Sequence, residues 1–109
     1  MSSVEESLRM LTIGDHALEA ILVPREGQPM PRLDARTEAL VRLSALIAID
    51  GPPPSFRAAV DAAQRAGARE EDVLAVLCTV ADLVGLARVV SAAPRIALAT
   101  GYDAEAALE

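Results

Sequence analysis

Very few side chains in this chain can move a proton or attack a substrate near neutral pH. His16 is the sole histidine and Cys78 the sole cysteine. Imidazole is the only side chain whose ordinary pKa already lies in that range, so His16 is the first candidate acid or base. It follows Asp15 at an expected helix start, where a solvent-exposed ring beside a cap is the plain alternative. In an oligomer, the same ring can enter a neighbour's cleft. Cys78 sits in "VLAVLCTVA" beside Leu77, Val80 and Ala81. No charged neighbour there lowers its pKa, so a buried and inert thiol is expected. Ser55 stands in the first turn of a helix. Ala59, one turn on, supplies no base to activate it, so capping is its expected work. Arg57 and Asp61 have the i,i+4 spacing of a surface ion pair; alternatively, Arg57 holds a carboxylate. Phe56 is expected in the core. Tyr102, just past Gly101, is expected to cover a core edge or to reach a ligand or a second subunit.

Composition narrows the chemistry further. The chain has 109 residues and no lysine, which removes Schiff-base chemistry and any lysine nucleophile. One cysteine leaves neither an internal disulfide nor a dithiol redox pair. One histidine leaves no His-based metal cluster, so no metal and no cofactor are expected. A net charge of −6 opposes binding to nucleic acid, which needs a basic patch. The acidic start "MSSVEESLRM" lacks the layout of a signal peptide, and the longest apolar run is too short for a bilayer. No membrane association and a cytoplasmic location are therefore expected. One Phe, one Tyr and no Trp mean that Ala, Leu, Val and Ile must supply the core. Each of these buries little area, and such a domain gains by burying further apolar surface against copies of itself.

The elements that must position these residues read as helices. Ser3 followed by Glu6 predicts a capping box and a short helix to about Leu11. Gly14 ends it, and Asp15 is expected to cap a second short helix carrying His16, Leu18, Ile21 and Leu22. "PREGQPMPR", Pro24 to Arg32, reads as a loop. Residues 1–32 thus form an N-terminal helical arm and loop, and 33–109 the main helical domain, with one domain overall. Asp34 is expected to cap "ARTEALVRLSALIAI". Between Ala39 and Ile49 the only charge is Arg42, so this helix is expected to be buried all round, partly by another subunit. Asp50-Gly51 ends it. Pro52, Pro53 and Pro54 open the next helix, where missing amide hydrogens cost nothing, and Gly67 stops it. Glu70, Glu71 and Asp72 open another, favourably placed for the helix dipole. Gly85 marks a break before a last long helix that ends at Gly101. Nothing alternates as a strand does, so the fold class is all-α.

The order of "LDARTEALVRLSALIAI", "AGAREEDVLAVL" and "VGLARVVSAAPRIAL" resembles the carboxymuconolactone decarboxylase-like family, which includes the AhpD-like alkylhydroperoxidases. The resemblance covers about Leu33 to Tyr102 and centres on Gly67–Leu77. It implies an AhpD-like helical bundle assembled as a homo-oligomer, a trimer or hexamer. AhpD-like members carry a Cys-x-x-Cys-x-x-x-His motif at the start of the helix before that glycine. There the helix N-terminus acidifies a thiol and the histidine relays protons. Counting back from Gly67, those positions are Pro52, Ser55 and Ala59. The relay glutamate falls near Ala39, beside Glu38. The decarboxylase branch keeps a histidine at the position of Ala59. Both chemistries are therefore absent from their places here, and thiol peroxidase activity is not expected. Three readings follow. The first is a redox-inactive oligomeric protein that binds a small apolar or carboxylated molecule or acts structurally. The second is a lactone- or decarboxylase-type enzyme using His16, Ser55 and Arg57. The third is an interaction subunit for a partner protein. The first fits the missing groups best.

Overall fold

The computed structural model describes residues 3–14, 22 and 32–102, all of them in helices or short connections, with no strand among them. The chain divides into two compact units, Met1–Arg32 and Leu33–Glu109. In the first, α1 spans Ser3–Ile13 and Gly14 ends it. The helix runs past Leu11, and Glu6 pairs with Arg9 at 2.9 Å on its surface. Of the residues expected in a second short helix, Leu22 alone is described, and it is helical. His16, Leu18, Ile21 and most of the Pro24–Arg32 loop lie outside the described residues.

The second unit is a four-helix bundle of α2 (Ala35–Ile49), α3 (Pro53–Arg65), α4 (Glu70–Val84) and α5 (Leu86–Ala99). Asp34 caps α2 as its sequence predicts. Its carboxylate accepts from the Thr37 backbone N–H at 2.8 Å and the Thr37 hydroxyl at 2.9 Å. The first turn of α4 holds Asp72, whose carboxylate accepts the Arg69 backbone N–H and pairs with Arg36, both at 2.8 Å. That contact ties the first turns of α2 and α4 together. Gly85 alone separates α4 from α5. Its φ of 87° and ψ of 157° belong to a region that glycine alone occupies without strain, so two helices meet here with no loop between them.

α2 and α5 each pack against the other three helices of the unit. Leu43 and Ile47 of α2, Phe56 and Val60 of α3, Val73 and Leu77 of α4, and Ala92 and Ile96 of α5 form the core. Phe56 is fully buried, as expected, and is the only aromatic side chain there. A second cluster of Ala39, Ala63 and Ala68 lets α2 and α3 approach closely. No polar or charged side chain is buried among the described residues, and none of their helices is long and apolar enough to cross a membrane.

Within the single chain, α2 buries one face, Ala39, Leu43 and Ile47, while Val41 and Ile49 remain exposed. Two expectations need correction. Cys78 is exposed rather than buried, because α4 turns Val73 and Leu77 inward and the next position rotates by about 100° away from them. Asp61 pairs with Arg65 at 3.0 Å and not with Arg57. The acid N-terminal to the base is the better i,i+4 order on a helix.

A polar clasp closes the α2–α3 turn. Asp50 adopts the left-handed conformation, φ 56° and ψ 53°. Its carboxylate accepts the Ser91 hydroxyl at 2.7 Å and Arg95 at 3.2 Å, with Arg88 at 3.4 Å. Arg95 also donates to the Gly51 carbonyl at 2.9 Å. The Ser91 hydrogen bond, then the charges of Arg95 and Arg88, hold the Asp50 carboxyl below its usual value. The Asp72 carboxyl is lowered in the same way, first by Arg36 and then by the Arg69 amide. A lowered folded pKa means that the unfolded chain takes up the proton first. The stability these groups contribute is complete above the unfolded value near pH 4, and it is lost as pH falls through the folded value. Asn at position 50 tolerates the left-handed backbone and can still accept from Ser91. Asp50→Asn is therefore expected to lower the thermal midpoint at pH 7 and to narrow the gap between the pH 7 and pH 3 midpoints. Identical gaps in the two proteins, measured by circular dichroism melts, would remove the clasp from this account.

Candidate functional site

The prolines that open α3 decide what the mouth of that helix can do. An α-helix begins with four amide hydrogens that have no helical acceptor. Here three of those positions are Pro52, Pro53 and Pro54, which carry no N–H. The fourth, Ser55, donates its amide to the Pro52 carbonyl at 3.0 Å. No amide donor is left over to hold a thiolate, an oxyanion or a phosphate. No side chain caps α3 either, so the capping role expected of Ser55 is not filled; Pro52 stands at the cap position.

Ser55 instead lines a groove between α2 and α3. Ala39, Arg42, Ala45, Leu46 and Ile49 of α2 face Ser55, Ala58, Ala59 and Ala62 of α3 across about 450 Å³. Five of these nine residues are alanines, so the walls are mostly methyl groups, and the space exists because the side chains are short. Ala39, Ser55 and Ala59, three positions singled out by the family resemblance, thus share one groove. Among the described residues, Arg42 is its only charged lining residue. It pairs with Glu38 at 3.0 Å, and both members are solvent-accessible. Exposed i,i+4 pairs of this kind are worth about 0.3–0.5 kcal/mol, so a ligand carboxylate can compete for the guanidinium.

The set His16, Ser55 and Arg57 is not assembled in the described residues. Arg57 lies two residues beyond Ser55, about 200° around α3, and lines a shallow depression with Pro54, Ala58, Asp61 and Ala99. His16 lies outside the described residues. Cys78 lines none of the grooves described here. No cluster of three or more His, Cys, Asp or Glu placed to hold a metal occurs among the described residues.

Two features of these surfaces escaped sequence reasoning. Arg42 was visible as the single charge on an apolar helix, but only the packing of α3 shows that it borders the alanine groove. The second is a larger groove of about 620 Å³ between α4 and α5, lined by Leu74, Leu77, Val90, Pro94 and Tyr102 among others. Pro94 lies inside α5, where it leaves the Val90 carbonyl without its helical donor. Tyr102 reaches this groove because its amide donates to the Ala97 carbonyl at 2.8 Å, folding the chain back over the end of α5.

No protein-family model, no curated protein and no solved structure matches the chain.

Proposed function

We propose that this chain is a redox-inactive, homo-oligomeric relative of the carboxymuconolactone decarboxylase-like and AhpD-like proteins that binds a small, mostly apolar carboxylate between α2 and α3. The assembly, on this reading, is a trimer or hexamer, as the resemblance implies. The observation that carries the proposal is the groove in which Ala39, Ser55 and Ala59 lie together, with Arg42 as its only charge. Methyl walls favour an apolar body. The lone guanidinium favours an anionic head, and it presents a fork of donors matched to a carboxylate. The helix mouth supplies no amide donor to share that work. The volume suits a small molecule. Ser55 can orient such a ligand through its hydroxyl, but Ala59 offers no base that would make it a nucleophile.

The binding part is tested by titrating short alkyl and aromatic carboxylates, and the matching primary amides, into methyl-labelled protein followed by NMR. The alanine methyls of the groove are expected to shift with the carboxylates. The amides should bind about tenfold more weakly, near 1.4 kcal/mol. Arg42→Gln should erase that preference without changing the fold. Equal affinity for carboxylate and amide, or shifts confined to other surfaces, would refute the site.

The redox part is tested separately. With an organic hydroperoxide and a thiol reductant, turnover is expected to equal that of Cys78→Ala. Thiol-dependent turnover that disappears in Cys78→Ala would overturn this half of the reading.

A further inference from the structure

The α4–α5 groove differs in kind from the alanine groove. Its lining includes Val73, Leu77 and Ile96, which belong to the core itself, together with the exposed Leu74, Val90 and Tyr102. α5 carries two apolar stripes. Val89, Ala92 and Ile96 pack into the core, with Ala93 at the border between the two stripes and touching it as well. Leu86, Val90, Ala93 and Ala97 recur at i, i+4, i+7 and i+11, the spacing of a second helix-packing face. Among the described residues of the four-helix unit, seven large apolar side chains are buried and nine are exposed, the rest being half-buried.

We infer that this outer face of α4 and α5 is the surface on which a second copy of the chain docks. The inference rests on the oligomeric part of the reading above and adds which surface is used; it is independent of the carboxylate site. Leu74, Leu86, Val90 and Tyr102 are between 59% and 76% exposed. At roughly 60–120 Å² per aliphatic and 150–250 Å² per aromatic side chain, these four present about 200–400 Å² of apolar surface. The half-buried Ala93, Pro94 and Ala97 between them extend the strip. A standard interface covers about 800 Å² per partner, of which somewhat over half, about 450 Å², is apolar, so these four side chains alone supply between just under half and most of the apolar part of such an interface. Among the described residues, Glu70 is the only charged one lining the groove. The face thus has the charge-poor centre of a protein interface. It lacks the cations that an anionic membrane surface or a nucleic acid would require. A copy of the same chain brings helical ridges of the same spacing and an equally apolar, charge-poor strip, so it matches this face in chemistry.

The test is sedimentation equilibrium on the full chain and three variants, with helicity checked by circular dichroism. Wild type is expected to associate at tens of micromolar. Val90→Glu is expected to weaken association at least tenfold at unchanged helicity. Leu86→Glu provides a second probe, because an acid in the first turn of α5 favours the helix. Ala45→Glu, in the alanine groove, should associate as wild type does. If both α5 variants assemble with wild-type affinity, or if Ala45→Glu alone dissociates, the surface assignment is wrong while the oligomeric reading survives. A monomeric wild type would overturn both and leave carboxylate binding to be judged by its own titration.

Discussion

The scarcity of large side chains governs this fold. Burying a leucine or phenylalanine contributes about 1.5–3 kcal/mol, whereas an alanine offers a single methyl. Phe56 is the only aromatic in the core, and the rest of the interior is built from Leu, Ile, Val and Ala. Short side chains bring helices close, as Ala39, Ala63 and Ala68 do where α2 meets α3. They also leave the space beside that contact unfilled, and the alanine groove is that space. Apolar residues nevertheless occur on more than one face of α2 and α5. A four-helix unit can bury one stripe per helix, and the remaining stripes stay outside it.

With so little mass in the core, polar contacts at the ends of helices carry much of the task of fixing angles. Two clusters do this. Asp34, Arg36 and Asp72 anchor the start of α2 to the start of α4. Asp50, Ser91 and Arg95 anchor the end of α2, and the turn into α3, to the middle of α5. Both lie where solvent reaches, so each individual contact is screened and modest. Their effect lies in geometry. The left-handed Asp50 sets how α3 leaves α2, and that angle sets the width of the groove between them. The carboxylate cradle of Asp50 therefore bears on the candidate site although it does not line it.

The boundaries of every helix in the second unit were legible in the sequence because their causes are local. Asp34 caps, the three prolines open α3, Gly67 stops it, and Gly85 permits a turn that other residues resist. Phe56 could be placed in the core for a similarly simple reason, since the chain has no other large aromatic candidate on an inward face. Partner choice was less accessible. The exchange of Arg65 for Arg57 beside Asp61 depends on side-chain order along a helix as well as on spacing. The exposure of Cys78 was present in the phase of α4, since Val73, Leu77, Val80 and Val84 define the inward stripe and leave position 78 off it; the apolar neighbourhood in sequence concealed it. Arg42 was the hardest to read. A lone charge on an apolar helix looks like a solubility feature until a second helix forms the opposite wall of its groove.

The two grooves separate the tasks a small helical protein can perform. They have no lining residue in common. One holds about 450 Å³, is walled mostly by methyl groups and is bordered by a cation, so a small organic anion fits its chemistry directly. The other holds about 620 Å³, is rich in long aliphatic side chains without a cation among its described lining, and its lining reaches the core residues Leu77 and Ile96. Covering it extends the core outward, so assembly through that face would add the apolar burial that α4 and α5 lack alone. Ligand binding through Arg42 would instead exchange one weak surface ion pair for another, with little effect on the core. The physical costs of the two events therefore fall on different parts of the molecule, and either can change without requiring the other to do so.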